Sequence, residues 1–214
     1  MLTDLAHPGL EISFRASVPS HQVKLRFHPS IIQSEREECI AQVRERIGPR
    51  AFGVDCGDLA SVVGALLRDR DESLALAESC TSGRLASWVT SIPGASAYLM
   101  EGAVVYSNEA KIRCCGVSPA LTDTHGAVSE PVAVALASGI RERADTTWGV
   151  GITGIAGPGG ARPGKPVGTV HIAVCGPHTA SHRRLQLSGD RSRVIQRSTA
   201  EAMYQLYRAI CESA

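Results

Sequence analysis

Leu74-Ala75-Leu76-Ala77-Glu78-Ser79-Cys80-Thr81-Ser82-Gly83 is the run whose reading decides the fold. Its first four residues are apolar without alternation, the pattern of a short strand covered on both faces. Hydroxyl residues and a glycine follow at once, and Leu85, Trp88 and Val89 then recur at helical spacing up to Pro93-Gly94. A strand feeding a helix through a polar turn is the opening of a layered α/β domain.

The pattern repeats downstream. The sequence predicts a second strand over about 103–106, with Tyr106 at its end. A short helix runs from Ser107-Asn108 to Gly116. Ser129-Glu130-Pro131 opens a helix to about Arg143, with proline in its first turn. A third strand covers 148–153, and a loop with Gly157, Gly159, Gly160 and Gly164 spans 154–166. Segments 167–175 and 183–187 form a hairpin. A closing helix from Asp190 to Cys211 turns Val194, Ala202, Leu206 and Ile210 inward.

Upstream the texture differs. Residues 10–16 and 22–27 alternate as two half-buried strands joined through Val18-Pro19-Ser20. Ser30 or Ser34 caps a helix carrying Ile32, Ile40, Val43 and Ile47. Ser34 with Glu37 fits a capping box, and Gly48-Pro49 stops the helix. Asp58 caps another helix, with Leu59, Val62, Val63, Leu66 and Leu67 on one stripe. The expected organisation is a small α+β module over 1–72 and a layered α/β domain over 73–214.

Bulk properties exclude several functions. Lys+Arg number 22 and Asp+Glu 21 among 214 residues, so a formal charge of +1 gives no footprint for nucleic acid or an anionic membrane. Aromatics are 4%, too few for a base-stacking platform. No apolar run approaches the roughly 18 residues needed to span a bilayer, and the first residues do not resemble a signal peptide. Seven scattered cysteines without a CxxC indicate reduced thiols, hence a cytoplasmic location, and no metal-ligand spacing appears.

Four motifs carry candidate chemistry. Ser79 stands at a strand-to-helix turn, where backbone N–H groups can hold an oxyanion or the hydroxyls can simply cap the helix. The G-x-S-x-G elbow is absent, since Ala77 and Thr81 flank Ser79. Lys111 lies about one turn into its helix, either as a solvated surface residue or as a desolvated base beside a hydroxyl. Gly149–Gly154 satisfies G-x-G-x-x-G literally. It lies inside an apolar strand, however, and Gly157-Pro158 follows where that fingerprint requires a helix, so a dinucleotide site is rejected. Arg191, in Gly189-Asp190-Arg191, is either a phosphate clamp or a solvated first-turn residue. His125, His171 and His182 show no pair or triad spacing and are read as structural or surface residues.

Taken together and in order, these blocks resemble one family. Glu78-Ser79-Cys80-Thr81, Val105 to Lys111, Thr153 to Gly160, Lys165 to Val170, and Gly189-Asp190-Arg191 are similar to the signature blocks of the CinA C-terminal domain, over about residues 73–212. The first 72 residues resemble the KH-like middle domain of full-length CinA proteins, without the Gly-x-x-Gly loop that a KH domain uses on nucleic acid. The resemblance implies the PncC activity of pyridine-nucleotide salvage, hydrolysis of the carboxamide of nicotinamide mononucleotide to nicotinic acid mononucleotide and ammonia. It implies Ser79 as nucleophile, with Tyr106 and Lys111 as activating partners. Glu78, Cys80, Thr81, Asn108, Thr153, Gly154, Gly157, Gly159 and Arg191 would line the substrate site, with Arg191 at the phosphate. No cofactor or metal is implied. The expected partners are the small nucleotide substrate and further copies of the chain, as a dimer or larger. One departure stands out: the family's usual Gly-Gly after the threonine is Ser82-Gly83 here. The competing expectation is a non-catalytic partner protein tied to competence or recombination.

Overall fold

The computed structural model describes residues 7–16 and 21–213. Two compact units divide between Cys56 and Gly57. In the small unit, β1 (Leu10–Arg15) pairs antiparallel with β2 (Gln22–Phe27). Leu10, Ile12 and Phe14 face Phe27, Leu25 and Val23, so one side of the hairpin is apolar. The predicted Val18-Pro19-Ser20 connection lies outside the described residues. α1 (Gln33–Ile47) starts ahead of the predicted capping box. Its N-cap is Ile32, whose N–H donates to Glu35 Oε2 at 3.1 Å, and Ser34 lies inside the helix. Gly48, at φ 71°, ends it.

The large unit begins with α2 (Leu59–Asp69), capped by Asp58, which accepts from the Ser61 N–H at 3.0 Å. The second Asp58 oxygen accepts from Trp88 Nε1 at 2.9 Å. The stripe of α2 packs on helices of the large unit, so the division falls before this helix and not after it, as a boundary at 72/73 would have it. β3 (Leu74–Glu78), α3 (Arg84–Thr90) and β4 (Leu99–Val104) follow, then α4 (Asn108–Cys115), α5 (Pro119–His125) and α6 (Glu130–Arg143). β5 (Trp148–Gly154), β6 (Thr169–Cys175), β7 (Ala180–Gln186) and α7 (Arg191–Glu212) complete the chain.

The sheet order is β4-β3-β5-β6-β7. β4, β3 and β5 are parallel, and the β5–β6 and β6–β7 pairs are antiparallel. This is an α/β fold with a mixed five-stranded sheet between helical layers. β4 begins and ends earlier than the sequence suggests, because Glu101 and Gly102 interrupt its apolar run and its apolar residues Met100 and Val104 lie on the exposed face. The seven-residue α5 is too short and too polar to be read from periodicity.

α6 lies on one face of the sheet, over β3, β5 and β6; α7 lies on the other. The face under α6 is built from small residues: Ala75 and Ala77 on β3, Gly149 and Gly151 on β5, and Ala173 on β6. A Cβ at Gly149 would overlap the carbonyl oxygen of Ala137, and one at Gly151 that of Ala133. The G-x-G that failed as a nucleotide fingerprint is therefore a bed for the helix backbone. Gly151→Ala should lower stability by about 1–3 kcal/mol, because the added methyl must push α6 off the sheet. Gly159→Ala, with open space around it, should change stability by less than about 0.5 kcal/mol. Urea melts of the two variants check the contrast.

Candidate active site

The turn after β3 is organised by a carboxylate. Glu78 is 1% exposed and accepts from three backbone N–H groups at the start of α3: Gly83 and Leu85 at 3.1 Å and Ala86 at 2.8 Å. Its oxygens are thus committed to the helix start and not turned to a ligand. The chain reaches that point through Ser82 at φ 53° and Gly83 at φ 88°. The left-handed region favours glycine, so Ser82 takes a glycine's conformation; its hydroxyl donates to the Ser79 carbonyl at 3.4 Å. The Ser79 N–H bonds to Ile152 O at 3.0 Å, fixing the turn against β5. The N–H groups of Cys80 and Thr81 make no backbone hydrogen bond among the described residues.

α4 delivers the partner of Ser79. Ser107 caps α4 by accepting from the Ala110 N–H at 3.1 Å, which sets the first turn and aims Lys111 inward. Lys111 is 1% exposed. Its Nζ lies 3.2 Å from Ser79 Oγ, and it donates to the carbonyls of Val105 at 2.8 Å and Tyr106 at 3.2 Å. No carboxylate lies within ion-pair distance of it among the described residues. Burial drives its pKa below the usual lysine value, against a smaller opposing pull from Cys80, Cys115 and Glu109. The surface-lysine alternative is set aside by this burial. The carbonyl of Val105 is a member of the site that side-chain reasoning missed.

The other predicted residues distribute around this pair. The Cys80 thiol is buried and pushed up to about 12, mainly by burial, so it stays protonated beside Ser79. Thr81 Oγ1 is buried without a partner. Thr153 Oγ1 donates to Ala127 O at 2.8 Å. Gly154 brings β5 close to Cys80, since a Cβ there would press on Cys80 Sγ and on Val170. Asn108 is exposed at the start of α4, and Gly159 is exposed in the glycine-rich loop. The Tyr106 hydroxyl meets Arg191, not Ser79: Arg191 donates to it at 3.2 Å and to Gly157 O at 2.8 Å. Arg191 is therefore neither simply solvated nor free; it braces the loop. The Gly157–Pro158 peptide in that loop is cis.

Residues 57–210 match the CinA C-terminal domain family. The chain belongs to that family. A CinA-like protein of Anaeromyxobacter dehalogenans is 44% identical over 98% of this chain and 52% of its own length. A CinA-like protein of Mycobacterium marinum is 48% identical over 79% of this chain and 40% of its own. The chain thus spans about half the length of the curated relatives it matches. Among solved structures, the competence/damage inducible protein CihA of Agrobacterium tumefaciens superposes with a TM-score of 0.70 at 33% identity, covering 75% of this chain and 98% of that one. A CinA superfamily protein of Escherichia coli superposes at 0.68 and 30%, covering 76% and 98%. Among the described residues no helix is long and apolar enough to cross a membrane, and no group of three His, Cys, Asp or Glu is placed to hold a metal ion.

His171 and His182, which show no pair spacing in the sequence, meet in the fold. His171 Nδ1 lies 3.0 Å from His182 Nε2 with the rings stacked. Only the β6–β7 register, which puts Ala173 opposite His182 and His171 opposite Arg184, brings them together. Burial above all, with His182, Arg184 and Lys165, lowers the His171 pKa to about 4, against the pull of Glu130. In an unfolded chain it titrates near 6.5. Above about pH 6.5 neither state carries this proton. As pH falls toward 4 the unfolded state takes one up that the folded state refuses, so stability falls with pH in that window. Melting temperatures should drop between about pH 6.5 and 4.5, and less steeply in His171→Phe; parallel curves for the two proteins would refute the assignment.

Proposed function

We propose that this chain hydrolyses the carboxamide of nicotinamide mononucleotide to nicotinic acid mononucleotide and ammonia, with Ser79 as nucleophile and Lys111 as its base. The observation that carries the chemistry is the environment of Lys111 Nζ. A neutral amine has two N–H donors and one lone pair. The carbonyls of Val105 and Tyr106 take the two donors, and the third direction meets Ser79 Oγ. Burial without a counter-charge favours that neutral form. The choice of substrate comes from the CinA resemblance of the same blocks.

The proton accounting is simple. Lys111 takes the Ser79 proton as Oγ attacks the carboxamide carbon, and the negative charge moves to the carbonyl oxygen. The N–H groups of Cys80 and Thr81, free of backbone acceptors, are the donors at hand for that oxyanion. Lys111 then returns its proton to the departing nitrogen, and ammonia leaves an ester on Ser79. Water adds to that ester, again losing a proton to Lys111, and the acid is released with Ser79 restored. Cys80 is no rival nucleophile, since its thiol is held protonated. Arg191, at the N-terminus of α7, would hold the phosphate together with the helix's free N–H groups.

Ser79→Ala should abolish turnover by several orders of magnitude, by analogy with other serine nucleophiles. Lys111→Arg keeps a cation but cannot accept a proton, so it should lose about 10²- to 10⁴-fold in kcat. The wild-type rate should climb with pH to a plateau, with an inflection below the usual lysine value, measured as ammonia released. A Lys111→Arg enzyme within tenfold of wild type would sink the base assignment.

The phosphate role is tested on two ligands. Arg191→Ala should weaken nicotinamide mononucleotide by roughly 10- to 150-fold, the worth of a charge-assisted contact. Nicotinamide riboside, which lacks the phosphate, should be spared. An equal loss on both would leave Arg191 as a brace for the loop alone.

A further inference from the structure

A row of side chains crosses the sheet from the nucleophile. Glu78 pairs with Ile152, so Ser79 stands level with Thr153; Thr153 pairs with His171, and His171 with Arg184. Alternation puts the row on the face that carries α6, because Ala77, Gly151 and Ala173 face that helix. Strands stand about 4.8 Å apart, so His171 lies two strands, or about 10 Å, from the serine.

The tautomer of His171 follows from its neighbours. Glu130 Oε2 lies 3.4 Å from His182 Nδ1. A carboxylate only accepts, so the His182 proton is held on Nδ1. His182 Nε2 is then bare and accepts from His171 Nδ1–H at 3.0 Å. That leaves His171 Nε2 bare in turn. It has no hydrogen-bond partner among the described residues. His171 is 7% exposed, and its Nε2 is not among the fully buried side-chain atoms that lack a partner. Arg184 and Lys165 oppose a further proton on the pair. The result is a neutral acceptor two strands along the row from Ser79.

We propose that His171 Nε2 accepts a hydrogen bond from a sugar hydroxyl of the nucleotide whose carboxamide sits at Ser79. The inference rests on the carboxamide-hydrolysis reading above. Beyond the amide, the ribose hydroxyls are the donors this substrate offers; its phosphate only accepts. The pyridine ring separates carboxamide from ribose, and the row Ser79–Thr153–His171 supplies a matching separation. Glu130 and His182 are positioning residues, because they set which nitrogen of His171 is bare.

The test uses the Ser79→Ala protein, which binds without turning over. Calorimetric titration compares nicotinamide mononucleotide with its 2′-deoxy and 3′-deoxy forms. The parent should prefer the ribonucleotide over one deoxy form by roughly 3- to 10-fold, the worth of one neutral hydrogen bond. Adding His171→Phe should erase that preference while the nucleotides still bind. A preference that survives His171→Phe, or its absence in the parent, overturns the proposal and leaves the hydrolase reading intact. A parent that binds no nucleotide removes both. Nitrogen NMR of histidine-labelled wild-type protein needs no variant. His171 Nε2 should show the shift of an unprotonated ring nitrogen that moves when the nucleotide is added, and a protonated Nε2 would overturn the idea.

Discussion

The close seating of α6 on the sheet is the constraint on which the rest of the large unit depends. Glycine at 149 and 151, and alanine at 75, 77 and 173, let a helix backbone rest almost directly on the strands. The same closeness is repeated sideways, where Gly139 of α6 admits the carbonyl of Cys115 at the end of α4. α4 is thereby held against α6, and Lys111 is carried under the β3 turn. A bulkier bed would raise α6, move α4 with it, and open the 3.2 Å contact between Lys111 and Ser79.

A buried lysine without a carboxylate is costly to fold, and the site accepts that cost for a reason. Main-chain carbonyls of Val105 and Tyr106 give its nitrogen partners that carry no net charge. They satisfy the hydrogen-bonding need without stabilising the ammonium as a carboxylate would. An ordinary ion pair there would instead hold the lysine charged. Glu78 shows the opposite arrangement nearby, a carboxylate spent wholly on three N–H groups so that the serine turn is fixed.

Much of this was legible in the sequence, for local reasons. The unbroken apolar run 74–77, the cap at Asp58, the helix starts at Ser107 and Asp190, and the stripe of the last helix each express a short-range rule, and each is realised. What stayed hidden is what depends on register or on distant packing. The unit boundary fails at α2 because amphipathicity says which face is buried, not which partner buries it. The His171–His182 contact needs the hairpin alignment, which the exposed, polar β7 does not announce. Tyr106 was expected beside Ser79, yet its ring turns to Arg191 while its carbonyl serves Lys111. A motif names a residue without saying which of its atoms is used.

The glycine-rich loop is held in an unusual manner, from outside and by its backbone. Arg191 grips the carbonyl of Gly157, Arg184 that of Gly164, and Gln186 that of Val167, while Lys165 reaches outward to His125. Three of these four fastenings read nothing of the loop's own side chains. Its shape and its chemical lining are consequently separable properties. Side chains installed at positions such as 159, which has room around it, would face a scaffold already fixed in place. Variation confined to this loop would therefore alter its surface without disturbing the contacts around Ser79.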